Sequence, residues 1–234
     1  MGKERYLSNF MNSARELLPE REYTGSEMPK PQRPVQIVEP YTLPYQSSLL
    51  RNRLTITDPH DLAFFGIPLA GYDLVVSEPK VRHPVNIDKD MCTITIALVS
   101  STGLQTSQNI FQWICTHIVY DKKRREEIEH QQSRHYRDAM KTFHERRGVC
   151  GEMANLNVAM ARIAGLTANY VHVEMLEDGT KAIHACAGIV LDGKLVLSDP
   201  AYRKFDVHHH KYELVDDINL ESKMRQWNYD SRFG

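Results

Sequence analysis

The spacing of apolar positions changes period along the chain, and the changes mark the elements. Between Met91 and Val99 apolar residues alternate with polar ones, with Ile94, Ile96 and Leu98 on one side, which predicts a half-buried strand. At Ser107 the period lengthens. Ile110, Trp113, Ile114, His117 and Ile118 follow a helix face, predicting a helix to about Tyr120 with Ser107 as its cap. Residues 121–147 are almost wholly polar. Lys122 to Arg125 form a basic block followed at once by Glu126, Glu127 and Glu129, a spacing that suits a solvated helix. Tyr72 to Val76 reads as a further strand.

Ahead of these elements the pattern is irregular. Residues 3–18 predict a short amphipathic helix. Pro29, Pro31, Pro34, Pro40 and Pro44 then impose an extended strap, read as lying over the domain surface. A ligand for a proline-recognising module and a pro-region covering a site are the alternatives. Residues 1–106 are therefore assigned to an N-terminal extension packed on the core. Residues 107–234 are assigned to the core and its C-terminal tail.

From Gly148 onward the pattern carries chemistry. Glu152 to Ala164 is rich in helix formers, and Gly165 is suited to the position just past a helix end. Gly148 and Gly151 flank Cys150, so the thiol sits at or just before a helix N-terminus. Unpaired N–H groups and the helix dipole stabilise a thiolate there and can hold a developing oxyanion. Glu152 favours the helix and opposes the thiolate. Tyr170–Met175, Ile183–Leu191 and Lys194–Ser198 read as three strands, the last two joined by a tight Asp192-Gly193 turn. That turn pairs Leu191 with Lys194, sets Cys186 opposite Asp199, and makes His184 and Asp199 diagonal neighbours within reach of an imidazole–carboxylate hydrogen bond. Cys150 as nucleophile, His184 as proton carrier and Asp199 as the group orienting it form a triad in principle, in the order of the papain-like logic.

The segments GVCGEMANLNVAMARIAGLTANYV, HAC and DGKLVLSDPAY, with FQWICTHIVYD before them, resemble the transglutaminase-like superfamily. The resemblance spans about residues 107–205. It implies an α+β, papain-like core: a central helix bearing Cys150 packed on an antiparallel sheet bearing His184 and Asp199, which fall at the family's catalytic positions. It implies acyl transfer through a thioester. Hydrolysis of a peptide-like amide, as by a small calcium-independent cysteine peptidase or amidase, is the preferred outcome. Attack by an amine, as in protein crosslinking, and a non-catalytic binding module are the alternatives. One position departs from the pattern: Cys186 stands where the family often has Trp.

Composition narrows the classes. With 41% hydrophobic and 25% charged residues, the chain of 234 is expected to fold around a core. A net charge of −1 argues against a general nucleic-acid binder, and KKRR is read as part of a solvated helix. No apolar run is long enough to span a membrane and the start lacks a signal-peptide pattern, so the expectation is a cytoplasmic protein with no membrane partner. Gly2 is followed by Tyr6 where myristoylation wants Ser or Thr.

Four cysteines without a CxxC pair predict reduced thiols and no structural zinc. Cys92 and Cys115 read as core. His208, His209 and His210 are adjacent, but neighbours on a strand point to opposite faces, so a solvated loop is preferred to a metal site. His130 and His135 are poorly spaced for shared ligation. No cofactor or metal is therefore expected. Trp113 reads as core rather than as an oxyanion donor, and Tyr120 as a group behind the site. The expected partner is a peptide or protein substrate. The oligomeric state stays open.

Overall fold

The computed structural model describes residues 53–56, 73–76, 84–130, 136–217, 219, 220 and 222. The expected helix at 3–18 and the proline strap lie outside them.

The first described helix corrects the sequence reading. Residues of the alternating stretch 91–99 form α1 (Lys89–Ala97), not a strand. Asp88 caps it, its carboxylate accepting the Met91 N–H at 2.9 Å. The threonines that mimicked a strand bond back along the helix, Thr93 Oγ1 to the Lys89 carbonyl and Thr95 Oγ1 to that of Met91. Burial of Met91, Cys92 and Thr95 on one helical face decides the outcome over β propensity.

Helix α2 (Gly103–His117) buries Ile110, Trp113 and Ile114 as expected, with Ile118 just beyond its end. Its cap is Thr102, whose hydroxyl accepts the Gln105 N–H, while Ser107 is buried inside it. Trp113 belongs to the core, stacked between His117 and Phe143. The solvated helix is α3 (Lys122–Glu129), capped by Asp121. A further helix, α4 (Ala139–Glu145), starts at Asp138 and ends in the left-handed Arg146.

The central element is α5 (Cys150–Ile163), every residue of which is buried. It packs against α1, α2 and α4 through Met153, Leu156 and Met160, and against Ala187 and Ile189 of the sheet. A Leu156→Ala change there would cost about 3 kcal/mol. Among the buried polar side chains on α5, Glu152, Asn157 and Arg162 find partners, whereas the Oδ1 atoms of Asn155 and Asn157 have none among the described residues. Arg162 forms a bidentate pair with Asp217 at 2.7 and 2.8 Å and donates Nε to the Ala168 carbonyl. Gly165, at φ 86°, closes the helix.

The sheet that α5 covers contains β6 (Thr167–Met175), β7 (Lys181–Leu191), β8 (Lys194–Asp199), β9 (Lys204–Phe205) and β10 (Lys211–Val215), in the order β10-β6-β7-β8-β9, all antiparallel. The β7–β8 hairpin has the expected register, Leu191 opposite Lys194 through to Ala187 opposite Ser198. A second apolar cluster of Val171, Val173, Cys186, Leu197 and Val207 fills the remaining space. Gly188 is glycine because a Cβ would lie 2.9 Å from Val171 Cγ2 and 3.0 Å from Leu195 Cδ1.

Two small parallel ladders complete the description. One joins β1 (Arg53–Ile56), β2 (Asp73–Val76) and β3 (Asn86–Ile87), the second of these close to the strand expected at 72–76. The other joins β4 (Val119–Tyr120) to β5 (Arg147–Gly148), so the expected helix over Val119 and Tyr120 is instead a strand. That ladder sets Tyr120 opposite Gly148, two residues before the thiol.

Candidate active site

Cys150 is the first residue of α5, with Val149 as its N-cap. The approach is tight. A Cβ on Gly148 would lie 3.0 Å from Thr142 Cγ2, and one on Gly151 would lie 3.0 Å from the Tyr170 hydroxyl oxygen. The glycines flanking the thiol are thus set by close contacts. The first N–H groups of the helix lack intrahelical partners. Glu152 takes one of them, its Oε2 accepting the Val149 N–H at 3.1 Å.

Glu152 does not stand against the thiol unopposed. Its fully buried carboxylate is bound by Arg124 Nε at 2.6 Å, by Arg137 Nη1 at 3.2 Å and by the Arg137 N–H at 2.9 Å. The basic block is therefore divided. Lys122 and Lys123 face solvent, whereas Arg124 and Arg125 turn inward. Arg125 Nη1 lies 3.9 Å from the Cys150 sulfur. A solvated face was legible in the sequence; the inward pair was missed, because nothing in KKRREE separates the two faces.

His184, on β7, has its Nε2 at 2.7 Å from Asp199 Oδ2, and both side chains are buried. With Nε2 engaged, Nδ1 is the nitrogen left for the Cys150 thiol, and the two groups shift each other's titration as close neighbours do. The structure thus brings His184 and Asp199 into direct contact and sets Cys150 close enough to His184 for each to shift the other's titration. Asp199 is held by its own turn, Oδ1 accepting the Tyr202 N–H at 3.2 Å.

The electrostatics follow from these contacts. Burial pushes the Cys150 thiol up, but the His184 hydrogen bond and charge, the Arg125 charge and the Ala185 N–H bring it below its ordinary value. Burial pulls His184 down, yet Asp199 and Cys150 raise it to about 9. Asp199 is also held low, burial being outweighed by the two histidines against it. Other thiols go the opposite way. Burial pushes Cys115 up to about 11, and burial with the nearby Asp199 and Cys150 charges pushes Cys186 well up. Burial and the nearby Cys150 charge push Tyr120 up to about 12.

Cys186, where an indole was expected, is wholly buried among Val171, Val173 and Leu197. An aromatic ring still covers the imidazole: Tyr202 stacks on His184 at 4.5 Å between centroids and 27° between planes. The sequence places Tyr202 three residues past Asp199, a spacing that carries no face information for a turn.

His209 corrects the reading of the triple histidine as a solvated loop. His208 and His210 are exposed, but His209 is buried with Nε2 3.4 Å from Asp199 Oδ2. Its ring nitrogens have no aligned hydrogen-bond partner among the described residues. Ligand atoms of His184, Asp199 and His209 lie within 4.8 Å of one another, so these three could hold a metal ion. His130 follows α3 on the surface, and His135 lies outside the described residues.

A cleft of about 510 Å³ opens over the pair, with walls that include Tyr120, Arg125, Lys181, Ile183, His184 and Tyr202. Among the described residues no helix is long and apolar enough to cross a membrane.

The model of the transglutaminase-like superfamily matches residues 95–200, which include Cys150, His184 and Asp199. Among solved structures, a candidate cysteine protease from Cytophaga hutchinsonii is 18% identical with a TM-score of 0.33, covering 47% of this chain and 40% of that one. A candidate protease from Parabacteroides distasonis ATCC 8503 is 15% identical with a TM-score of 0.35, covering 47% and 23%. A structure described as a TGase is 16% identical with a TM-score of 0.40, covering 52% and 32%. The chain thus spans less than half the length of each. No curated protein matches the chain.

Proposed function

We propose that the protein, whose residues 95–200 match the model of the transglutaminase-like superfamily, is a thiol-dependent hydrolase acting on an amide of a peptide or protein substrate. The observation that carries this reading is the His184–Asp199 pair at 2.7 Å, set beside the Cys150 thiol at the start of α5.

The Cys150 thiolate attacks the amide carbonyl carbon, and the carbonyl oxygen takes the negative charge. The N–H groups at the start of α5 that lack intrahelical partners would stabilise this oxyanion. The His184 imidazolium gives its Nδ1 proton to the amide nitrogen. The carbon–nitrogen bond breaks, the amine departs and a thioester remains. Neutral His184 then takes a proton from water, whose oxygen attacks the thioester. The carbon–sulfur bond breaks, the acid is released and the imidazolium–thiolate pair is restored. Asp199 keeps the ring oriented and supports its charged form.

Water is favoured over an amine as the acceptor by charge. A lysine ammonium approaching the thioester would meet Arg125 and Lys181 on the cleft wall. Amine transfer and a purely binding role remain the rival outcomes of the test.

The test is alkylation of each cysteine against pH, read by mass spectrometry, in the wild type and in His184→Ala. Fast modification of Cys150 alone below the ordinary thiol range, lost in His184→Ala, supports the reading. An ordinary or inert Cys150 overturns it. A peptide screen with the wild type and Cys150→Ala then reads free acid against amine-linked product.

A further inference from the structure

Arg125 has an unusual position for a residue of a surface helix. Its Nε pairs with Glu129 one turn on, which holds the guanidinium from behind. Its Nη1 edge faces the Cys150 sulfur at 3.9 Å, and the side chain forms part of the cleft wall. Lys181, at the start of β7, adds a second cation to the same wall. Among the described residues lining the cleft there is no Asp or Glu; its other polar side chains are Tyr120, Tyr202 and His184.

The charge balance changes through the reaction cycle. In the proposed cycle the Cys150 thiolate is the anion facing Arg125 before it attacks. In the thioester that charge is gone, and the Nη edge is left facing the cleft without it. A guanidinium edge binds carboxylates with two parallel hydrogen bonds, and its geometry suits them better than it suits a lone sulfur.

We propose that the cleft beside Cys150 is a carboxylate site, so that the amide this protein acts on adjoins an acidic group. A carboxylate bonded to Nη1 would lie within about 7 Å of the sulfur, adding one charge-assisted hydrogen bond to the observed separation. That reach confines the acidic group to the residues next to the reacting amide, as a chain terminus or as an Asp or Glu side chain. The inference rests on Cys150 being the nucleophile.

The experiment compares Cys150 alkylation by iodoacetate, which carries a carboxylate, with alkylation by iodoacetamide, which does not. The full-length protein is used as wild type, Arg125→Gln and Lys181→Gln. Both reagents meet the same sulfur, so their rate ratio cancels changes in thiol reactivity. The ratio is expected to fall about fivefold in Arg125→Gln, the scale of a half-exposed ion pair, and less in Lys181→Gln. In the wild type, raising salt should lower it as well. An unchanged ratio in both variants, with Cys150 still reactive toward iodoacetamide, overturns the carboxylate site and leaves the nucleophile standing. A Cys150 inert to both reagents in the wild type overturns the nucleophile, and this inference with it. Should Arg125→Gln fail to fold, Lys181→Gln and the salt dependence decide: no effect of either counts against the site. Slowing of iodoacetamide by N-acetylglycine or by the amide of N-acetylaspartate tells a terminal carboxylate from a side-chain one.

Discussion

Tyr202 lies almost flat against His184, its ring centroid 4.5 Å from that of the imidazole. The stack covers the ring on which Asp199 and Cys150 both converge, and Tyr202 is half-exposed while His184 is buried.

Removing this cover should wet the imidazole. Tyr202→Ala is expected to weaken the His184–Cys150 pair and to move the acid limb of Cys150 alkylation to higher pH. The rate below neutrality should fall about three- to tenfold, the scale of one aromatic contact. Tyr202→Phe keeps the ring and should retain most of the rate. Iodoacetamide kinetics of the three proteins across pH check this.

The two shifted pKa values set opposite limbs of a turnover profile. Cys150 lies below its ordinary value, so the nucleophile forms as pH rises through that lowered value. His184 holds its proton to about 9, and the departing amine needs that proton. Turnover should therefore rise from the acid side, stay level near neutrality and fall as pH passes about 9. In Asp199→Asn the alkaline fall should move to lower pH, because a carboxylate that supports the imidazolium is gone.

Thiol selectivity is a separate expectation. Cys115 is pushed up to about 11 and Cys186 well up, both chiefly by burial. At pH 6.5 a limiting amount of iodoacetamide should label Cys150 and leave these two unmodified, as peptide mapping would show. Equal labelling would contradict the local electrostatics described above.

Glu152→Gln should destabilise the protein by about 2 kcal/mol, since it removes the buried carboxylate that Arg124 and Arg137 share, while Arg137 keeps its pairs with Asp121 and Glu145. Urea unfolding followed by circular dichroism measures it. A loss under about 0.5 kcal/mol would mean that water solvates both arginines as well as the carboxylate does.

Gly151→Ala brings a methyl to within 3.0 Å of the Tyr170 hydroxyl beside the thiol. The expected result is a folded protein with slower Cys150 alkylation, because the half-buried Tyr170 must shift beside the thiol. Thermal unfolding and alkylation kinetics, run on one preparation, separate the two effects.

The hairpin and its consequences were legible in the sequence because Asp192-Gly193 admits few turns, and one turn fixes every pair up to Ala187–Ser198. The Cys150 helix was legible because helix formers run unbroken to a glycine suited to its end. Helix α1 was not, since Thr-Ile-Thr-Ile fits both periods and only burial of Met91, Cys92 and Thr95 separates them. His209, Arg125 and Tyr202 were missed for one shared reason. Each sits in a turn or a polar helix, where the direction of a side chain comes from tertiary contacts and leaves no period in the sequence.

Helix α3 sends two adjacent arginines to two different ends: Arg124 to the buried Glu152, and Arg125 to the sulfur of Cys150. Integrity and reactivity therefore share one latch. A molecule in which this helix loosens loses a buried ion pair and, in the same movement, the positive charge that favours its thiolate. On the proposed reading, a copy that loosens there is expected to lose thiol reactivity along with stability.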